Sequence, residues 1–478
     1  MTEHNSNLVI FGVTGNLAKL KIIPALYDLI DHGKLVDDSL IIGMGRKDLG
    51  QEGFVQYIKN VVEEYAKQNK IELIPEALEH LLKKLHYIHG DIAETETYEE
   101  LKKTLMSDKA HTNTMFYLAT YPSLYQHIFE SLEKVGLHKS TRGWVRILVE
   151  KPIGNDLSSA QQLNGLMSQF FSDDQIYRLD HYLGKETVQN ILYFRFGNSI
   201  FEPIFNKEYV DHIQITSTES FGIGQRGMYY DNTGALKDTG QNHILQMLAL
   251  VTMDAPTEMT NESITTERLK VLNALQPRPD KLVLGQYEGY LNEENVAPQS
   301  MTNTFFALKT EVDTPRFKGV PIYIRAGKML DKSVAEISVV FKKPANQLFK
   351  KFNAPESANV LIFRIQPDEG IAMRFLTKSS IEPNVLSAQD MEFCYKSVSE
   401  RLLNPYETLI SDALAGDQTF FNDAAEVEAQ WKFIDPLEEK HTMPFTYKAG
   451  SAGPKEATEL IEADGRKWLE PSQTFCKL

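Results

Sequence analysis

The chain opens on a short, wholly apolar run, Leu8-Val9-Ile10-Phe11. It leads into Gly12-Val13-Thr14-Gly15-Asn16-Leu17-Ala18-Lys19, where apolar positions start to recur at helical spacing. A buried strand, a glycine turn and a helix account for that change. Leu40 to Gly45 repeats the apolar run, a mixed-charge helical pattern extends from about Gly53 to Lys84, and His86 to Ile92 reads as the end of a third strand. Thr114 to Ala119 and Val145 to Glu150 give two further buried strands, separated by a helix around Leu124 to Val135. Strands alternating with helices predict a parallel, doubly wound, Rossmann-like sheet. We assign it to a dinucleotide-binding domain over residues 1–180.

Beyond about Asn198 the pattern changes, and strand-like runs follow one another with few helices between them. They are Val210 to Thr216, Thr304 to Val312, Val320 to Arg325, Ile337 to Phe341, Val360 to Ile365 and Ile371 to Leu376. This predicts a large, mostly antiparallel sheet in a second domain over residues 181–478, so the expected class is α/β plus α+β. One helix, Leu236 to Val251, interrupts the runs. Its second half is apolar almost all round and must be buried.

Composition adds bounds to this picture. A chain of 478 residues, 42% hydrophobic and 24% charged, has the make-up of a globular protein of two domains. The net charge of −15 is spread without a basic stripe, which argues against nucleic acid and anionic membrane as partners. An anionic substrate must then meet local positive charge. Met1 to Asn7 is polar and no apolar run is long enough to span a bilayer, so neither a signal peptide nor a membrane helix is expected and the location is read as cytoplasmic. Cys394 and Cys476 are the only cysteines, too few for a disulfide framework or a zinc cluster and in keeping with a reducing compartment.

Four stretches carry candidate chemistry. In the first glycine turn, Gly12 and Gly15 allow close backbone approach of a pyrophosphate to the N–H groups of a helix start, and Ala18 allows helix and strand to pack. Arg46-Lys47 follows the second strand, where a site specific for NAD would place a carboxylate. Two cations there suit the 2′-phosphate of NADP, although an exposed basic turn would read the same, and Asp48 leaves NAD open as a second acceptor. Glu150-Lys151-Pro152 closes a strand at its carboxyl end, the end at which ligands bind in such sheets.

The fourth and richest stretch is Arg178-Leu179-Asp180-His181-Tyr182-Leu183-Gly184-Lys185-Glu186. With Gly184 closing a turn and a helix starting at Lys185, the groups of His181, Tyr182 and Lys185 surround a helix N-terminus that favours a phosphate. Asp180 lies among apolar neighbours, so burial would raise its pKa unless it has a cationic or N–H partner elsewhere in the chain, which predicts a distant histidine. Asp238, Gln241, Asn242 and His243 stand at the start of the buried helix, where polar groups must be paired. A core histidine bonded to backbone is one reading of His243; a general base oriented by Asp180 is the other.

The nine-residue stretch resembles the signature of the glucose-6-phosphate dehydrogenase family. The likeness extends in order through the glycine turn, Glu150-Lys151-Pro152, Asp238 with Gln241-Asn242-His243, Arg325-Ala326-Gly327-Lys328, Ala449-Gly450-Ser451 and Trp468. It implies an NADP-dependent oxidoreductase of glucose metabolism, oxidising glucose 6-phosphate at C1 to the 6-phosphogluconolactone, the first step of the oxidative pentose phosphate pathway. By the same likeness His243 is the base and Asp180 its acidic partner, while His181, Tyr182 and Lys185 hold the phosphate. Lys151, Glu219, Asp238 and Lys328 contact the sugar. Gly12, Thr14, Gly15, Asn16, Leu17, Ala18, Arg46, the backbone of Asp91 and Ile92, and Lys151 serve the cofactor. A homodimer or homotetramer is implied, and no metal. Two positions depart from the family pattern: Asn16 stands where Asp is usual, and Ser333 where a basic contact often follows, with Lys332 beside it.

Overall fold

The fold is that of a computed structural model, which describes residues 6–35, 39–107, 112–343, 358–379, 381–382, 385–397, 403–439, 443–472 and 475–476. Of the polar N-terminal stretch Met1 to Asn7, only Ser6 and Asn7 fall among them. The chain divides into two compact units, 1–185 with 403–424 and 186–402 with 425–478. The sequence reading set its boundary at 180/181; the division falls after Lys185, and residues 403–424 return to the first unit.

In the first unit the apolar runs form β1 (Ser6–Phe11), β2 (Ile41–Gly45), β3 (Leu85–His89), β4 (Asn113–Leu118) and β5 (Val145–Val149), joined by a short β6 (Ile176–Arg178). The strands lie in the order β3-β2-β1-β4-β5-β6, all parallel, with Phe11 beside both Met44 and Leu118 and Val149 beside Arg178. Helices cover such a sheet on both faces, which is why its strands are apolar without alternation. Val9, Ile10, Phe116 and Ile147 are fully buried. The long helical pattern after β2 is two helices, Gly50–Asn69 and Pro75–Lys83. Lys70 takes a left-handed conformation (φ 55°) and ends the first, and Pro75 starts the second, where its missing N–H does no harm. Asp156 caps the helix Leu157–Phe170, accepting the Ser159 N–H at 2.7 Å.

The returning segment docks as the helix Pro405–Ala415 against the helix Ile23–Asp31. Its buried Glu407 pairs with His32 at 2.8 Å and Lys34 at 3.2 Å. The Lys34 ammonium and the His32 ring thus both answer one buried carboxylate.

The second unit holds β7 (Val210–Thr218), β8 (Leu282–Tyr287), β9 (Phe305–Thr310), β10 (Ile322–Gly327), β11 (Val334–Phe341), β12 (Val360–Gln366), β13 (Gly370–Lys378), β14 (Leu386–Cys394) and β15 (Phe445–Tyr447). Their order is β14-β13-β12-β11-β7-β10-β9-β8-β15. The β7–β10 and β8–β15 pairs are parallel and the others antiparallel, the mostly antiparallel sheet the sequence predicted. Helices are more numerous than the apolar pattern suggested: Asn261–Ala274, Ala424–Glu438 and Lys455–Glu462 accompany the expected one. Arg268 and Glu426, both fully buried, pair at 2.8 Å, so polar letters here mark the interior as well as the surface. Cys394 and Cys476 form a disulfide, a single bridge and no framework, although the sequence reading has their number fitting a reducing compartment. They lie 82 residues apart, a separation that carries no local signal. Among the described residues no helix is long and apolar enough to cross a membrane.

Candidate active site

Five of the six parallel strands of the first unit place candidate groups at their carboxyl ends. Past β1, Gly12 has φ +82°, and a Cβ there would lie 2.8 Å from the carbonyl oxygen of Ala119, so only glycine fits. The Gly12 carbonyl accepts the Gly15 N–H at 2.9 Å, closing the turn from which the first helix starts. Gly15 and Asn16 are exposed, Thr14 and Leu17 are half-buried, and Ala18 is buried against the sheet. This is a bare backbone cradle at a helix start, and it fits a pyrophosphate.

Past β2, Arg46 and Lys47 are exposed, and their turn is fixed from below by the Tyr87 hydroxyl, which donates to the carbonyls of Gly45 (3.2 Å) and Lys47 (2.5 Å). The Arg46 carbonyl also accepts from the His89 ring at 3.2 Å. Past β3, Asp91 accepts the Ala93 N–H at 2.9 Å, and the carbonyl of buried Ile92 takes the Tyr98 hydroxyl at 2.9 Å. The residue types and exposure along this edge fit a pyridine dinucleotide.

Past β5 comes buried Glu150, whose carboxylate accepts the Tyr117 hydroxyl at 2.6 Å. Burial pushes its pKa up to about 7, against the pull of the Tyr117 bond and the Lys151 charge. Lys151 is half-buried and joined to Pro152 by a cis peptide bond.

Past β6 the signature stretch folds into a compact double turn. The Asp180 carbonyl accepts the Leu183 N–H at 3.0 Å, and the Tyr182 carbonyl accepts the Lys185 N–H at 3.0 Å. Asp180 is buried, and one of its carboxylate oxygens takes the Tyr182 N–H at 2.9 Å, so one of the partners that burial requires comes from its own turn. A Cβ on Gly184 would meet the Pro405 carbonyl at 2.5 Å, which sets the loop tightly against the returning helix. On that helix Tyr406 lies parallel to the His181 ring, 6.1 Å between centroids, and the Lys185 ammonium sits 4.6 Å above the Tyr182 ring. The helix Glu186–Gly197 begins at the next residue, one later than the spacing suggested.

In the second unit, Glu219 leaves β7 with its N–H bonded to the Gly327 carbonyl at 2.9 Å, and Lys328 leaves the neighbouring β10. The two side chains form an ion pair, with Lys328 buried between the rings of Tyr230 (5.3 Å) and Phe221 (5.7 Å). Asp238 and His243 share the segment Leu236–Ile244, which is wound as a π-helix before continuing as the fully buried helix Leu245–Thr252. Such wide turns recur at functional sites. Asp238 accepts the Tyr229 hydroxyl at 3.4 Å, Gln241 donates to Gln430 at 3.4 Å, and Asn242 donates to the Asp238 carbonyl at 3.3 Å. The backbone N–H of buried His243 donates to the Asn242 side chain at 2.6 Å. The polar start of this buried helix is therefore paired, as burial demanded.

Ser333 bonds the Ser220 N–H at 2.8 Å, and Lys332 pairs with Glu470 at 2.8 Å and Asp331 at 3.5 Å. Tyr117 and Tyr406 escaped the sequence reading: Tyr117 is one tyrosine in a buried apolar strand, Tyr406 stands in a polar helix start, and the partners of both are far away in sequence.

Residues 9–190 match the family model for the NAD binding domain of glucose-6-phosphate dehydrogenase, and residues 192–469 match the model for its C-terminal domain. The chain is 41% identical to glucose-6-phosphate 1-dehydrogenase of Aggregatibacter actinomycetemcomitans, with 99% of each chain covered. A solved glucose-6-phosphate 1-dehydrogenase from Mycobacterium avium superposes with a TM-score of 0.89 at 32% identity, covering 98% of this chain and 99% of that one. A second, solved as a glucose-6-phosphate dehydrogenase in complex with its substrate glucose 6-phosphate, gives 0.90 at 32% identity over the same shares. Two domain models in sequence order and likeness over nearly the full length agree, and the chain belongs to the glucose-6-phosphate dehydrogenase family.

Proposed function

We propose that the chain oxidises glucose 6-phosphate at C1 to the 6-phosphogluconolactone with NADP as acceptor, acting as a cytoplasmic homodimer or homotetramer. The observation that carries this reading is the full-length family likeness together with the compact Asp180–Lys185 turn, which keeps every chemical group of the signature. In this reading His181, Tyr182 and Lys185 bind the phosphate, and Lys151, Glu219, Asp238 and Lys328 orient the sugar hydroxyls. Neutral His243 takes the proton of the C1 hydroxyl, and Asp180 holds the ring tautomer and stabilises the imidazolium that forms. As the O–H bond breaks, C1 loses a hydride and becomes the lactone carbonyl, so no oxyanion accumulates. The dinucleotide, when bound, supplies the hydride acceptor. Gly12, Thr14, Gly15, Asn16, Leu17 and Ala18 would hold its pyrophosphate, Asp91 and Ile92 its adenosine side through their backbone, Arg46 its 2′-phosphate and Lys151 the end nearest the sugar. The edge strand β14 exposes Met391 and Phe393, apolar surface in keeping with a partner subunit.

The experiment follows absorbance of reduced nicotinamide with glucose, glucose 6-phosphate and 6-phosphogluconate offered in turn. Rapid reduction with glucose 6-phosphate alone is expected. Preference for either of the other two, or no reduction with any, would overturn the reading.

A further inference from the structure

Glu150 has no part in the reaction just described, yet it adjoins two groups that do, Asp180 and Lys151. Tyr117, in β4 and paired with Leu148 of β5, donates its hydroxyl to the Glu150 carboxylate at 2.6 Å. Val149 pairs with Arg178, and the Leu179 N–H donates to the Val149 carbonyl at 2.9 Å, so the chain leaving β6 carries Asp180 alongside. The titratable and charged groups around Glu150 in the first unit are Tyr117, Tyr125 from the helix Tyr125–Val135, Tyr406 from the helix Pro405–Ala415, Asp180 and Lys151. Of these five only Lys151 is a cation. A second carboxyl buried beside Asp180 is costly to ionise, and Lys151 opposes that cost twice, by its ammonium and by a backbone N–H on the Glu150 carboxylate.

We propose that Glu150, bonded by Tyr117, is a positioning residue for Lys151: ionised, it fixes the Lys151 ammonium and turn for the sugar; protonated, it lets them go. This deepens the reading of Lys151 as a sugar contact and rests on it. Burial holds the Glu150 pKa at about 7, with Asp180 adding to the rise, so the switch falls near neutral pH.

The test measures the Kd of glucose 6-phosphate without dinucleotide between about pH 6 and about pH 8, and the kcat/KM for glucose 6-phosphate over the same range. Titration of the substrate's own phosphate is common to all variants and cancels between them. Glu150→Gln keeps the shape and the Tyr117 bond but is always neutral. It is expected to bind as the parent does at the acid end and about 3-fold to 10-fold more weakly at the alkaline end. Tyr117→Phe removes a bond that holds Glu150 ionised, so the midpoint of the parent's transition moves to higher pH while the alkaline plateau stays. A purely structural role would weaken binding equally at every pH, and that result, or a Glu150→Gln profile identical to the parent's, overturns the proposal. Thermal melting checks that each variant folds; if Glu150→Gln does not, the Tyr117→Phe midpoint decides alone. Lys151→Ala separates the two levels: unchanged Kd sinks the reading of Lys151 and this inference with it. Weakened binding in Lys151→Ala without a pH-dependent loss in Glu150→Gln sinks this inference only.

Discussion

Lys328, buried at the end of β10, is ion-paired with Glu219 at the end of its parallel neighbour β7. The pair joins two strand ends and sets two sugar-facing groups of the proposed site at once. Removing either member has different costs. Glu219→Gln leaves a buried ammonium facing an amide, whereas Lys328→Met fills the space between Phe221 and Tyr230 with an apolar chain. Because the Glu219 side chain is 35% exposed, the loss falls below the roughly 3–5 kcal/mol of a fully buried pair. We expect Glu219→Gln to lower stability by about 1–3 kcal/mol and Lys328→Met by less, although both raise KM for glucose 6-phosphate. Urea unfolding checks the order; a larger loss in Lys328→Met contradicts it.

Lys185→Ala is expected to raise KM for glucose 6-phosphate by about 10-fold to 100-fold, the size of one charge-assisted phosphate contact, with little effect on KM for the dinucleotide. Steady-state kinetics with each substrate varied reads the split. Equal effects on both would mean that Lys185 serves the loop through its contact with the Tyr182 ring and does not bind phosphate.

Arg46 projects from an exposed turn that Tyr87 holds by its backbone, so Arg46→Ala leaves the turn in place. The kcat/KM with NADP should fall about 10-fold to 100-fold and that with NAD much less. Similar losses with both acceptors would show that the guanidinium stacks on the shared adenine and does not read the 2′-phosphate.

Glu150 also makes a stability prediction whose sign follows from its raised pKa. An acid that titrates at about 7 when folded and near its ordinary value when unfolded favours folding while protonated, and that contribution is lost as pH rises from the unfolded pKa through the folded one. Glu150→Gln, which cannot ionise, should therefore become more stable relative to the parent between about pH 5 and about pH 8. Melting temperatures across that range test it, and a difference that is flat with pH contradicts it.

The chain wrote its buried strands plainly and its exposed ones hardly at all. β1 to β5 and the central strands of the second sheet carry continuous or alternating apolar runs because one or both faces are covered. β14 is mostly exposed and reads as polar, β15 and β6 are three residues each, and the helix Asn261–Ala274 hides buried Arg268, paired with Glu426, among its polar letters. The return of residues 403–424 to the first unit was invisible for a different reason, since their docking is decided by distant partners such as His32 and Gly184. The candidate site was legible where one stretch concentrates its chemistry, as Asp180 to Lys185 does. It was not legible where topology brings a residue in from elsewhere, as with Tyr117 beneath Glu150 and Tyr406 beneath His181.

The most direct test of the proposed mechanism is the turnover of His243→Asn, with glucose 6-phosphate binding measured on the same preparation. An asparagine amide can hydrogen-bond the C1 hydroxyl but cannot accept its proton, so kcat should fall by at least about 10²-fold to 10⁴-fold while the Kd of glucose 6-phosphate changes little. A variant that keeps more than about a tenth of the parent's kcat would mean that a different group takes the proton.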